Sequence, residues 1–121
     1  MAQLSSTLAV EVEAGSVVTA GDYERCVFRG LTRYHHILDP RTGYPARSGL
    51  IAATVLASES LAADILSTAL LVLGLEAGIA LLGAAAPVRA VLVTSDLRVH
   101  LSRDLRDRYR RAPGLPRERY F

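Results

Sequence analysis

The spacing of apolar residues along this chain changes character twice, and the elements follow from those changes. Thr7 to Val12 and Ser16 to Thr19 are short β-rich runs separated by Gly15, and Ala20-Gly21-Asp22 reads as a turn. Tyr23 to Phe28 and Thr32 to Leu38 predict two further strands, joined through Arg29-Gly30-Leu31 as a hairpin. The prolines and glycine of Asp39-Pro40-Arg41-Thr42-Gly43-Tyr44-Pro45 exclude a helix there. Gly49 to Ala57 is again extended. Ser58-Glu59-Ser60 then offers an N-cap with an acid in the first turn, which predicts a helix from about Glu59 to Leu73. Gly74 stops it, a shorter helix runs from Glu76 to Leu82, and Gly83 ends that one. Val88 to Thr94, a turn at Ser95-Asp96, and Arg98 to Leu101 return the chain to β structure. An antiparallel-rich sheet with one helical hairpin gives the fold class α+β.

The most apolar stretch, Leu61 to Leu82, is interrupted by Asp64 and Glu76, so its longest uncharged run is 11 residues. A bilayer span needs about 20. A buried helix is expected instead, with no membrane span. The start, Met1-Ala2-Gln3-Leu4-Ser5-Ser6, has neither a basic region nor a long apolar one, so no signal peptide is expected and the chain by itself reads as cytoplasmic.

Composition then bounds the chemistry. A length of 121 residues is one modest domain. The single cysteine, Cys26, excludes an internal disulfide and thiolate zinc sites. The net charge of +2 is not evenly spread: residues 1–100 hold seven Arg against nine acidic residues, and residues 101–121 hold seven Arg against three. The basic character therefore belongs to residues 102–121, expected to be a flexible tail after a unit spanning 1–101. Without interleaved aromatics or a recognition motif, that tail reads as solvated rather than as a nucleic-acid contact.

Asp64 and Thr68 stand four apart on the predicted long helix and so share one face. A carboxylate and a hydroxyl there offer two hard oxygen ligands, suited to Mg²⁺. Because Leu61, Ile65, Leu66, Ala69, Leu70, Val72 and Leu73 make that helix apolar nearly all round, the carboxylate is expected to be shielded from water and to need a cation or donors. His35 and His36, on a strand, point to opposite faces and cannot both ligate one ion. In Asp39-Pro40-Arg41-Thr42-Gly43, Asp39 is expected to bond backbone amides as part of a rigid turn. The same turn, and Ala20-Gly21-Asp22, could also present N–H groups to a phosphate.

In order, Ser16-Val-Val-Thr-Ala-Gly-Asp-Tyr-Glu-Arg25, Tyr34-His-His-Ile-Leu-Asp-Pro-Arg-Thr-Gly-Tyr-Pro45 and Leu61-Ala-Ala-Asp-Ile-Leu-Ser-Thr-Ala-Leu70 resemble the C-terminal motifs of the ApbE-like FAD:protein FMN transferases. The resemblance covers about residues 7–101 and implies the C-terminal part of a T-fold-related architecture. It further implies protein flavinylation: Mg²⁺-dependent transfer of FMN from FAD to a threonine hydroxyl of an acceptor flavoprotein, with release of AMP. Residue by residue, it makes Asp64 and Thr68 the side-chain metal ligands. His36 becomes a candidate for proton removal or for positioning the diphosphate, and Leu38 lines the FAD site. The family usually has Ser or Thr where this chain has Ala20, which puts a hydroxyl contact in doubt. Its long N-terminal region, with an Ala-Lys-Gly stretch and most of the flavin and adenine contacts, has no counterpart here. The chain thus looks like roughly the last third of a transferase, incomplete alone and requiring a separate N-terminal half or self-association. Full-length relatives are often exported lipoproteins. The alternative is a non-catalytic remnant or a flavin-binding interaction module; nucleic-acid binding ranks below both.

Overall fold

The computed structural model describes residues 2–5, 8–10, 15–21, 26–29, 32–35, 37–44, 46–84, 87–111 and 118–121. Its elements, in chain order, are β1 (Ala2–Ser5), β2 (Leu8–Val10), β3 (Ser16–Gly21), β4 (Cys26–Arg29), β5 (Thr32–His35), β6 (Leu50–Ala57), α1 (Ser60–Leu73), α2 (Leu75–Ala84), β7 (Arg89–Thr94), β8 (Val99–Leu101), a 3-10 turn (Arg103–Leu105), β9 (Tyr109–Arg111) and β10 (Arg119–Tyr120). A five-stranded sheet in the order β10-β8-β7-β6-β3 organises the molecule, beside a three-stranded sheet β1-β2-β9 and the hairpin β4-β5. All pairings are antiparallel except β8 with β10.

Period-two alternation sorts the side chains of the large sheet onto two faces. Val18 faces Val55, which faces Ala90, and Ala53 faces Leu92. These residues, with Leu50, Ala63, Leu70, Leu71 and Leu82, form one apolar core beneath the helices. On the opposite face Val17 pairs with Leu56, Val91 with Leu101 and Val93 with Val99, and Leu105 completes a second core. Thr19 and Thr54 sit opposite each other on this second face, hydroxyl to hydroxyl at 2.7 Å. Thr54 is only 3% exposed, so this bond satisfies a group whose burial would otherwise carry a penalty.

Helix α1 lies against β6 and β3, and α2 against β7. The buried stripe of α1 is Ala63, Ser67, Leu70 and Leu71, spaced as one helical face. Ala63 is small enough to let the helix approach the sheet, and Ser67 donates its hydroxyl back to the Asp64 carbonyl at 2.9 Å, so a polar side chain is tolerated there. The expected acidic first turn is not formed. The helix starts at Ser60, so Glu59 is the cap residue itself, and its side chain makes no capping bond. At the other end the Gly74 N–H donates to Leu70 O at 3.0 Å, with φ 87° and ψ −176°. Chains with a Cβ rarely adopt that conformation, and Leu75 opens α2 in the next residue.

Two expectations need correction. Ala20 and Gly21 belong to β3, paired with Ala53 and Ala52, and are not a turn; Asp22 lies outside the described residues. The described part of 102–121 is built into the fold rather than trailing from it. Leu105 is fully buried, β9 pairs with β2, and β10 pairs with β8. These are long-range pairings, to which local composition is blind. Among the described residues no helix is long and apolar enough to cross a membrane.

Candidate functional site

Asp64 and Thr68 both lie on the exposed side of α1, one turn apart, flanked by Leu61 at 69% exposure and Ile65 at 59%. The shielding expected for Asp64 is therefore absent from the described structure. The sheet covers α1 on one side only, and the face carrying 61, 64, 65 and 68 is open to water. A hydrated carboxylate needs no counterion for its own sake. The pair is instead accessible to one: two hard oxygens on one open face of a helix. Among the described residues no group of three or more His, Cys, Asp or Glu comes together as a metal cage. A Mg²⁺ held by Asp64 and Thr68 would need further ligands besides these two, which fits an ion that keeps several waters or substrate oxygens.

The Asp39 turn is more self-contained than expected. Asp39 Oδ1 accepts from the Arg41 backbone N–H at 2.9 Å and from Arg41 Nε at 3.0 Å, while Oδ2 accepts from Arg41 Nη2 at 2.9 Å. Bonding of Asp39 to a backbone amide is as anticipated; the two-pronged Arg41 clamp was legible only as an Arg two residues on. Hydrogen bonds from Arg41 hold the Asp39 carboxyl below its ordinary range, and Asp39 raises Arg41 in turn. The remaining amides are also engaged. Thr42 N–H and Gly43 N–H donate to Asp39 O at 3.1 and 2.8 Å, Asp39 N–H to Tyr44 O at 2.8 Å, and Tyr44 N–H to Thr42 Oγ1 at 3.2 Å. Because every N–H of this turn has a partner inside it, the turn presents no open amide cradle to a phosphate, contrary to expectation.

Leu38, just before the turn, is 55% exposed. Its neighbour Ile37 and Ala46, at the far end of the loop, are buried in the same core as Ala63 and Leu70 and are joined by a 2.8 Å backbone bond from Ala46 N–H to Ile37 O. Loop and helix thus stand on one foundation. Ser48 strengthens it: its hydroxyl donates to the Leu71 carbonyl near the end of α1, a role with no signal in the sequence. His36 lies outside the described residues, and His35 ends β5, opposite Cys26.

Comparison with known proteins gives this arrangement a family. The chain is 45% identical over 103 residues to an FAD:protein FMN transferase of Treponema pallidum, covering 85% of this chain and 28% of that relative. A second FAD:protein FMN transferase, from Klebsiella pneumoniae, is 42% identical over 98 residues, covering 81% and 31%. Among solved structures, the ApbE protein of Thermotoga maritima superposes with a TM-score of 0.71 at 37% identity, over 78% of this chain and 31% of that one. The flavin transferase ApbE from Vibrio cholerae gives 0.61 at 30% identity, over 76% and 29%. The chain spans less than a third of the length of these relatives. Residues 2–92 match the ApbE family, and to that family the chain belongs.

Proposed function

We propose that residues 1–101 act as the C-terminal part of an FAD:protein FMN transferase, carrying the metal-ligand side of its site. The observation that supports this most directly is the placement of Asp64 and Thr68, adjacent on the open face of α1 in a chain of the ApbE family. In the proposed reaction the hydroxyl of an acceptor threonine attacks the FMN phosphorus of FAD. The bond between that phosphorus and the bridging oxygen breaks, and AMP leaves with the bridging oxygen. Asp64 and Thr68 would hold Mg²⁺, which when bound offsets negative charge on the diphosphate oxygens. His36 takes the hydroxyl proton or positions the diphosphate, and Leu38 lines the flavin site.

Two ligands and one histidine do not fix FAD for in-line displacement. The reaction therefore draws on further residues, from a longer polypeptide containing this segment or from a partner supplying the family's remaining portion. The test is coexpression with such a portion and an acceptor flavoprotein, reading covalent flavin by in-gel fluorescence and mass. Asp64→Ala should lower labelling about 100-fold or more, on the scale of several kcal/mol of lost charge stabilisation, whereas Thr68→Ser should retain most of it. Titration of FAD with and without Mg²⁺ provides a readout separate from turnover, and Asp64→Ala should abolish the Mg²⁺-dependent part. Undiminished labelling by Asp64→Ala would remove the metal assignment. Flavin binding that never leads to transfer would favour a binding module instead.

A further inference from the structure

Strand β8 borders β7 on one side, and among the described residues its other edge pairs with β10 alone, in a ladder two residue pairs long: Arg119 with His100 and Tyr120 with Leu101. The adjoining backbone bonds run from Phe121 N–H to Leu101 O at 2.9 Å and from Arg103 N–H to Phe121 O at 3.0 Å. Without residues 118–121, Leu101 O and Arg103 N–H become open edge groups, the kind that pair with any extended strand offering the right side chains.

Those side chains are specified. Tyr120 packs on the second core, with the Arg106 guanidinium 5.8 Å from its ring centroid, while Phe121 packs on the core beneath the helices. The two consecutive aromatics thus straddle the sheet edge, one on each face, in keeping with strand alternation. The Tyr120 hydroxyl also donates to Glu118 Oε1 at 3.2 Å within the same segment. A ladder this short contributes few hydrogen bonds, so such an element opens at low cost compared with the core strands. Residues 112–117, between β9 and β10, contain Pro113, Gly114 and Pro116.

We propose that the outer edge of β8, now filled by β10, is a strand-acceptor site for an extended Arg-Tyr-Phe segment. Residues 118–121 are its resident occupant, exchangeable for the same segment of a second copy of this chain. The exchange reuses every contact of the closed form and adds none, as in domain swapping. It is independent of any flavin chemistry.

The experiment uses the full 121-residue chain and a fluorescein-labelled peptide, Arg-Glu-Arg-Tyr-Phe, copying residues 117–121. In wild type the tethered segment competes with the peptide. In a Tyr120→Ala/Phe121→Ala double variant the edge is vacated, and the peptide should bind at least about tenfold tighter, while a peptide with both aromatics replaced by alanine should not bind. Amide hydrogen exchange on wild type gives a second readout that does not depend on the variant folding: Phe121 and Arg103 should exchange at least about tenfold faster than the amides of β7. Equal peptide affinity for a folded variant and wild type, or Phe121 and Arg103 amides as slow as those of β7, overturns the proposal.

Discussion

His100 is a buried ionisable side chain in the middle of a three-residue strand, 8% exposed, with Leu92 across one pairing and Arg119 across the other. Burial lowers its pKa from the ordinary 6.5; Arg119 and Arg98 push the same way, and Asp96 opposes them. The folded chain therefore favours the neutral imidazole. As the pH falls through the ordinary value, the unfolded chain takes up the proton first, so stability is complete above that value and declines below it. The melting temperature of wild type should fall as the pH drops below about 6.5, and His100→Gln should flatten that slope. Asp39 and Asp96 are both held below the ordinary carboxylate value of 3.8, so they titrate at lower pH and do not confuse the comparison. An unchanged slope in His100→Gln would assign the acid sensitivity elsewhere. Nothing in the sequence singled out His100; its burial comes from the strands on either side of it.

At the level of elements, much of what has a local cause was legible, but not all: Glu59 caps α1 instead of entering its first turn, Ala20 and Gly21 lie in β3, and α2 runs past the expected stop at Gly83 to Ala84. The apolar run of the helix at 60–73, the stop at Gly74 and the extended, β-rich runs at 50–57 and 89–94 each come from neighbours in the chain, and each element is found where expected to within a residue or two. Strands β1, β9 and β10 were not anticipated, because their partners are distant in sequence and their own residues carry little alternation. The site divides in the same way. The i, i+4 spacing of Asp64 and Thr68 was readable, whereas the openness of their face depends on what packs over the helix. The junction of α1 and α2 is the most demanding point in the fold. A Cβ at Gly74 would approach Ser48 O to 3.1 Å and Ser48 Cβ to 3.2 Å, in a backbone conformation already hostile to side chains. Gly74→Ala should therefore destabilise the chain by about 2–4 kcal/mol, combining backbone strain with overpacking, as read from urea denaturation midpoints. A loss below about 0.5 kcal/mol would mean that the junction relaxes freely.

Over the whole molecule, the helical layer is finished on one side and open on the other. Leu61, Ile65 and Leu73 of α1 and Tyr44 of the Asp39 loop all remain exposed. Grouped surface hydrophobics limit solubility more than they contribute to stability. Leu61→Gln with Ile65→Gln should raise the solubility limit while shifting unfolding free energy by no more than about 0.5 kcal/mol per site; a large loss of stability would show that these side chains pack in the native state. The paired hydroxyls of Thr19 and Thr54 carry a different consequence. If β3 slid along β6 by two residues, the apolar faces would still match, but Thr19 would meet Leu56 or Ala52, and Thr54 would meet Gly21 or Val17. Each hydroxyl would lose its partner, at about 1–3 kcal/mol for the buried Thr54 and less for the half-buried Thr19. Thr19 and Thr54 therefore work as a tooth and notch: greasy surfaces alone would let the strand settle in more than one position, and the polar pair rejects the misaligned ones.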